Sequence, residues 1–297
     1  MKVLVTGASG MVGAELTKRL QIEGHDVSPL RRGKLTQCVE PTWDPEAGSM
    51  DLSKNGPWDA VVHLAGENIA AGRWTDKLKR SIRDSRVNGT RLLCKELADS
   101  DHKPTVIVCA SAVGYYGDSG DVELNEESPN GEGFLPTVCH EWEQAAQPAR
   151  DAGIRVVHLR IGVVLGREGG ALAKMLTPFK MGAGGVIGNG KQYMSWITLN
   201  DVVRSIIHSI KTESLAGPVN AVAPEAVTNR AFTKTLGRVL SRPTIFPMPA
   251  FAARIAFGEM ADALLLSSIR VVPNQLASSG FVFDHPKLEG ALSSILK

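Results

Sequence analysis

The sequence predicts an α/β fold built on a doubly wound parallel sheet, and two observations carry that reading. The chain opens with a strand, a glycine turn and a helix in immediate succession, and the segments that follow alternate between short aliphatic runs and runs of helical period. Lys2 to Thr6 is a short β-branched and aliphatic run, long enough for one buried strand. Gly7, Gly10 and Gly13 follow at the spacing G-x-x-G-x-x-G, and from Met11 onward Val12, Leu16, Arg19 and Leu20 fall at helical spacing. A helix N-terminus presents unsatisfied N–H groups and the positive end of a dipole, so this junction suits a phosphate. Gly7 permits the tight turn, Gly10 lets a pyrophosphate approach the backbone, and Gly13 lets the helix pack close to the strand.

The second strand, from His25 to about Leu30, ends in Arg31 and Arg32. A site selective for NAD usually carries Asp or Glu here to hold the ribose 2′-hydroxyl, and that carboxylate would repel a 2′-phosphate. Guanidinium groups pair with phosphate instead, so the expected cofactor is NADP(H).

Further along, Gly33 to Pro57 is polar and rich in Pro and Gly, with a short strand or irregular connection in Trp43 to Leu52. Asp59 to Glu67 is a strand and turn whose Gly66 should sit at the carboxyl edge of the sheet, where ligands bind in this fold. His63 reads as an interior histidine. Trp74 to Ala98 has a long helical pattern that carries Arg86. Thr105 to Gly117 is a strand and glycine-rich loop, with Ser111 at the strand end and Tyr115 and Tyr116 just beyond. Asp118 to Gly133 is acidic and turn-rich, a candidate flap. Phe134 to Ala152 reads as one helix, and Arg155 to Gly166 as a strand ending in glycines.

After Gly166 glycines crowd the chain up to Gly190, which suits a mobile lid. Met194 to Val203 is a strand passing into a helix with Asn200 or Asp201 as N-cap. Val219 to Ala223 is a last core strand, Asn229 to Leu240 a helix, Pro243 to Pro249 an extended boundary, and Pro249 to Leu266 an apolar helical stretch.

The composition of the 297 residues, 43% hydrophobic and 22% charged with a formal net charge of +2, is that of a soluble globular protein. No basic stripe points to nucleic acid, and no apolar run reaches membrane-spanning length. Cys38, Cys94, Cys109 and Cys139 lack metal-ligand spacing, so no metal site is expected, and they read as reduced packing residues. With the first strand at residue 2, no targeting segment is expected and the location reads as cytoplasmic. The expected partner is a small molecule, with a homodimer as the candidate assembly.

The ordered motifs Val-Thr-Gly-Ala-Ser-Gly-Met-Val-Gly, His-Leu-Ala-Gly, Ala-Ser-Ala-Val-Gly-Tyr-Tyr-Gly, Leu-Arg-Ile-Gly-Val-Val-Leu-Gly and Trp-Ile-Thr-Leu-Asn-Asp-Val occur in the chain. Together they make it resemble the extended short-chain dehydrogenase/reductases of the NAD-dependent epimerase/dehydratase family. His-Leu-Ala-Gly-Glu-Asn-Ile, Met-Ser-Trp-Ile and Gly-Glu-Met-Ala-Asp-Ala-Leu-Leu-Leu are similar to the subgroup that carries a C-terminal domain of unknown function.

The resemblance implies a Rossmann domain over residues 1–166, with its sheet completed by about 191–223. A smaller substrate lobe and helical C-terminal domain would be formed by 167–190 and 224–297. It also implies cofactor contacts at Gly7, Gly10, Met11, Val12, Gly13, Arg31, Arg32, Leu64, Ala65, Gly66 and Arg86, with Val164 beside the nicotinamide. Family enzymes use Ser or Thr with a Tyr-x-x-x-Lys pair, the Lys lowering the phenol pKa so that Tyr can move a proton near neutral pH. Here the matching helix reads Phe-Leu-Pro-Thr-Val-Cys-His-Glu-Trp-Glu, without Tyr or Lys. Val138 or Cys139 stands near the Tyr position and Trp142 or Glu143 near the Lys position. Ser111 fits the Ser position, and Tyr115 and Tyr116 are the candidate replacement acids. The implied activity is NADP(H)-dependent oxidoreduction or epimerisation of a small polar, sugar-like molecule. A non-catalytic, NADP(H)-binding regulatory or scaffold role, linked to cell division, is the alternative.

Overall fold

A computed structural model describes residues 1–33 and 40–297; the reading made for Cys38 lies outside the described residues. Strands β1 (Lys2–Thr6), β2 (Asp26–Arg32), β3 (Thr42–Asp44), β4 (Ser49–Asp51), β5 (Ala60–His63) and β6 (Val106–Ala112) join Arg155–Ile161 and Gly217–Ala221 in an eight-stranded sheet. The strand order is Gly217–Ala221, Arg155–Ile161, β6, β5, β1, β2, β3, β4. Neighbours run parallel except β3 and β4.

Side chains of β1 alternate between two cores, as strand geometry requires. Val3 and Val5 join Leu16 and Leu20 of helix α1 (Met11–Ile22) and Ile206 of the helix Leu199–Lys211. Leu4 faces the opposite side, with Leu93 and Leu97 of helix α2 (Asp76–Asp99) and Trp43. Helices therefore cover both faces, which is why β1, β5 and β6 read as continuous hydrophobic runs rather than alternating ones. A third core gathers Leu172, Leu176, Phe179, Trp196, Phe232, Leu236 and Leu292 from the later part of the chain.

Several sequence expectations need correction. The stretch expected as one helix is two: α3 (Phe134–Gln144) and a short helix Gln147–Asp151. The break falls just before Pro148, which disfavours a helical residue ahead of it and supplies no N–H. The glycine-crowded stretch expected as loops contains a helix, Gly170–Lys180, anchored by buried Leu172, Leu176 and Phe179. The helix Leu199–Lys211 is capped by Thr198, whose hydroxyl accepts from the Asp201 N–H, rather than by Asn200 or Asp201. The apolar stretch after Pro249 divides into a helix, Ala250–Phe257, and a π-helical turn, Ala261–Leu266.

Candidate functional site: a dinucleotide cleft and a buried ion pair

Strand register brings the chemistry to one edge. Thr6 pairs with Leu30 of β2 and with His63 of β5; His63 pairs with Cys109, and Ser111 with Arg160. Gly7, Arg31, Leu64 and Ser111 thus lie at or beyond the carboxyl ends of four adjacent parallel strands. The chain leaves β1 toward β2 on one side and returns to β5 on the other, so the crevice above β1 and β5 is the topological switch point.

The glycine turn is dictated by close approach. Gly7 has φ +67°, and a Cβ there would meet the Ala65 nitrogen at 2.9 Å. A Cβ on Gly13 would sit 2.2 Å from the Gly7 carbonyl oxygen, so only glycine lets α1 start this close to the turn. Gly10 is the N-cap residue of α1 and provides no side-chain cap, and the first turn holds no acidic residue. The opening N–H groups of α1 remain available to an anion.

Thr6 binds the two loops together: its hydroxyl accepts from the Leu64 and Ala65 N–H groups at 3.0 and 3.1 Å. His63 is an interior histidine, hydrogen-bonded to Thr6 and Thr90, and burial pushes its pKa down to about 4. The Met11 side chain packs against Gly166, Gly169 and Gly170, joining the start of α1 to the loop beyond Val164. Val12, Leu64 and Val164 all pack on the core beneath the cleft.

At the far end of β2, Arg31 is ion-paired with Glu40. Arg32 is exposed, and its side chain makes no ion pair or hydrogen bond among the described residues. At the other end, the Arg86 guanidinium lies against Gly66, 3.2 Å from where a Cβ would stand, and stacks over the Trp142 ring at 5.1 Å.

The three catalytic candidates are drawn into one buried network. Ser111 Oγ donates to Glu143 Oε1 at 2.7 Å. Arg160 grips the same carboxylate with two bonds, Nε to Oε1 at 2.8 Å and Nη2 to Oε2 at 2.9 Å. Its Nη1 donates to the Tyr116 hydroxyl at 3.0 Å, and that hydroxyl donates to Asn220 Oδ1 at 2.7 Å. The Tyr115 ring lies under the Arg160 guanidinium at 3.5 Å and edge-on to Tyr116.

Burial works against the charge on Arg160, but the hydrogen bonds and charge of Glu143 outweigh it and hold the guanidinium pKa above its ordinary value. Burial pushes the Tyr116 phenol up to about 12, against the opposing pull of Arg160. Cys139 is likewise pushed up to about 12 by burial, with Glu143 adding to it.

Val138, Cys139, Trp142 and Glu143 are all buried, but they face two ways. Trp142 Nε1 donates to Thr90 on α2, whereas Glu143 meets Ser111, and Cys139 Sγ would be 3.9 Å from a Cβ on Gly114. Cys139 and Glu143, one helical turn apart, thus turn a thiol and a carboxylate toward Gly114 and Ser111. Asn220 and Glu126 went unnoticed in the sequence. Glu126 Oε1 accepts from the Asn220 and Gln275 N–H groups and ties the expected flap to the sheet end. No spacing signal could have found these two, because their partners lie 34 to 149 residues away.

The NAD dependent epimerase/dehydratase family model matches residues 3–222. The chain belongs to the NAD-dependent epimerase/dehydratase family. A domain of unknown function matches residues 248–295. Within the family, the chain is 42% identical over 291 residues to epimerase family protein ML0860 of Mycobacterium leprae, covering 98% of this chain and 94% of that one. A crystal structure of human epimerase family protein SDR39U1 with NADPH superposes with a TM-score of 0.91 at 36% identity, covering 99% of each chain. A Corynebacterium glutamicum structure described as a nucleoside-diphosphate sugar epimerase superposes with a TM-score of 0.81 at 35% identity, covering all of this chain and 58% of that one. Among the described residues no helix is long and apolar enough to cross a membrane, and no group of His, Cys, Asp and Glu could hold a metal ion.

Proposed function

We propose that the protein binds NADP(H) in the cleft above β1 and β5 and uses it in oxidoreduction or epimerisation of a small polar molecule, without a Tyr–Lys pair. The observation that carries the cofactor reading is the combination of a glycine cradle, an uncapped α1 and the unpaired Arg32 at the end of β2. The crystal structure of the human relative with NADPH supports it. Gly7, Gly10, Met11, Val12 and Gly13 would hold the pyrophosphate. Arg32 would meet the 2′-phosphate, and Arg31 would join it by exchanging Glu40 for the phosphate. Leu64, Ala65, Gly66, Arg86 and Val164 would border the ribose and nicotinamide. When bound, the nicotinamide supplies or accepts a hydride. The segments 167–190 and 224–297 would form the substrate lobe.

Among Ser111, Tyr115 and Tyr116, the phenol of Tyr115 is the one whose hydroxyl the network does not consume. Ser111 is held by Glu143, and the Tyr116 hydroxyl is shared between Arg160 and Asn220. Tyr115 is the proposed proton carrier, with Ser111 and Tyr116 shaping the floor. That same network favours a second reading: a closed set of partners in place of an acid–base pair suits a protein that holds NADP(H) as a regulatory ligand.

Two measurements separate these readings: titration with NADPH and NADH, followed by NADPH oxidation in a metabolite pool. Tight NADPH binding with substrate-dependent oxidation lost in Tyr115→Phe supports the enzyme. Tight binding without turnover supports the regulator, and no binding of either nucleotide overturns both.

A further inference from the structure

Arg86 is a half-buried cation whose binding capacity is mostly unused. A guanidinium has five N–H donors and cannot shed its charge in a protein, so burial normally comes with several acceptors. The other interior arginines obey this. Arg160 takes both oxygens of Glu143, Arg155 donates to the carbonyls of Ser209, Ile210 and Leu215, and Arg150 bonds Gln147, the Glu143 carbonyl and His158. Arg86 donates once, from Nη1 to the Ile82 carbonyl of its own helix at 3.0 Å. Among the described residues it forms no ion pair. Glu67 is near enough to attract it, but the Glu67 Oε1 accepts from the Asn68 N–H instead.

The position of this cation is fixed. Its guanidinium carbon stands over the Trp142 ring, 5.1 Å from the ring centre, and Gly66 gives it room at the cleft wall, where a side chain would meet that carbon at 3.2 Å. With Nη1 committed to Ile82, the Nε–Nη2 edge remains, a two-donor edge that matches the two oxygens of a carboxylate or of a phosphoryl group. The Arg86 charge draws the Cys139 thiol pKa down, against the larger upward push of burial.

We propose that Arg86 is an oxyanion-binding residue of the substrate site, so that the small polar substrate carries a carboxylate or phosphoryl group held by the Nε–Nη2 edge over Trp142. The proposal rests on the NADP(H) reading only in putting this anion beside the nicotinamide. Arg86 also borders the cofactor, and its one unused edge then serves the second ligand rather than the pyrophosphate.

Trp142 reports on the site directly. Malonate and, separately, inorganic phosphate would be titrated into free and NADPH-saturated protein at constant ionic strength, following tryptophan emission, with chloride as the reference anion. The expected result is a saturable change in both forms of the protein, absent in Arg86→Met and in Trp142→Phe. It should need at least tenfold more anion in Arg86→Lys, which keeps the charge and loses the fork. Stronger response to malonate assigns a carboxylate, and stronger response to phosphate a phosphoryl group. Because Arg86 also borders the cofactor, the charge-keeping Arg86→Lys is the variant to compare, and its NADPH affinity should fall by less than its anion response does. No saturable response in wild-type protein that binds NADPH overturns the proposal, as does an unchanged response in Arg86→Met. A loss of NADPH affinity in Arg86→Lys as large as its loss of anion response overturns it too, by assigning the edge to the cofactor. Failure to bind NADPH alongside an intact anion response would sink the cofactor reading and leave the oxyanion site standing.

Discussion

Removing the Glu143 carboxylate probes the unusual floor of the cleft. In Glu143→Ala, Arg160 keeps its place between β6 and Gly217–Ala221 but loses both charged bonds, and Ser111 loses its acceptor. The two side chains are only 4% and 10% exposed, so water cannot replace what is lost. Breaking one side of a buried ion pair costs about 3–5 kcal/mol, because the surviving charge stays buried. At roughly 2–4 °C per kcal/mol for a chain of this size class, the melting temperature should fall by roughly 6–20 °C. Urea unfolding at pH 7 gives the free energy, and calorimetry the temperature. Glu143→Ala/Arg160→Met removes the orphaned charge, so it should recover about 2 kcal/mol or more relative to Glu143→Ala. A single variant within about 1 kcal/mol of wild type would refute the reasoning, since a loss that small belongs to an exposed pair. A double variant less stable than Glu143→Ala would do so as well.

Three further outcomes follow from the same geometry. Arg32→Glu should weaken NADPH by roughly 10- to 100-fold, the worth of one or two charged hydrogen bonds, and NADH by less than about threefold; equal loss for both nucleotides in a fluorescence titration would remove Arg32 from the 2′-phosphate site. Gly13→Ala forces a Cβ to 2.2 Å from the Gly7 carbonyl, so it should cost about 1–3 kcal/mol in urea unfolding and weaken NADPH together with NADH; wild-type stability with wild-type affinity would contradict that packing. Burial lowers the pKa values of His63 and His158 to about 4, so the unfolded chain takes up these protons near pH 6.5 while the folded chain does not. Stability should therefore drop as pH falls from 6.5 toward 4, by at most roughly 1.4 kcal/mol per pH unit for each histidine. His158→Gln should flatten the profile between pH 6.5 and 4, and an unchanged slope would show that His158 titrates alike in both states.

What the sequence revealed was local, and what it hid was long-range. The glycine turn could be read because strand, turn and helix are contiguous and the steric demand on Gly13 comes from Gly7 and Ala8 in the same short unit, whereas the atoms crowding Gly7 come from Leu64 and Ala65 after β5. The helix Asn229–Leu240 was legible for the same reason, its apolar face repeating at helical spacing. The break between α3 and Gln147–Asp151 carried a signal in Pro148, while buried Ala145, Ala146 and Ala149 keep one apolar face continuous across it. The lid region shows the reverse error: glycines at 169 and 170 mark the start of a helix rather than its absence, because buried Leu172, Leu176 and Phe179 hold it. The site splits along the same line. Arg31 and Arg32 were visible as the residues ending a strand. The joining of Ser111, Tyr116, Glu143, Arg160 and Asn220 was not, since it depends on strand register and on which face of α3 turns toward β6.

NADP(H) in the cleft above β1 and β5, selected by the arginines at the end of β2, is the reading on which the proposed function of this protein rests. Titrating the purified protein with NADPH and then NADH, following nicotinamide fluorescence, tests it most directly. Saturable binding of both is expected, with NADPH tighter by tenfold or more. Binding of neither nucleotide, or tighter binding of NADH, would contradict it.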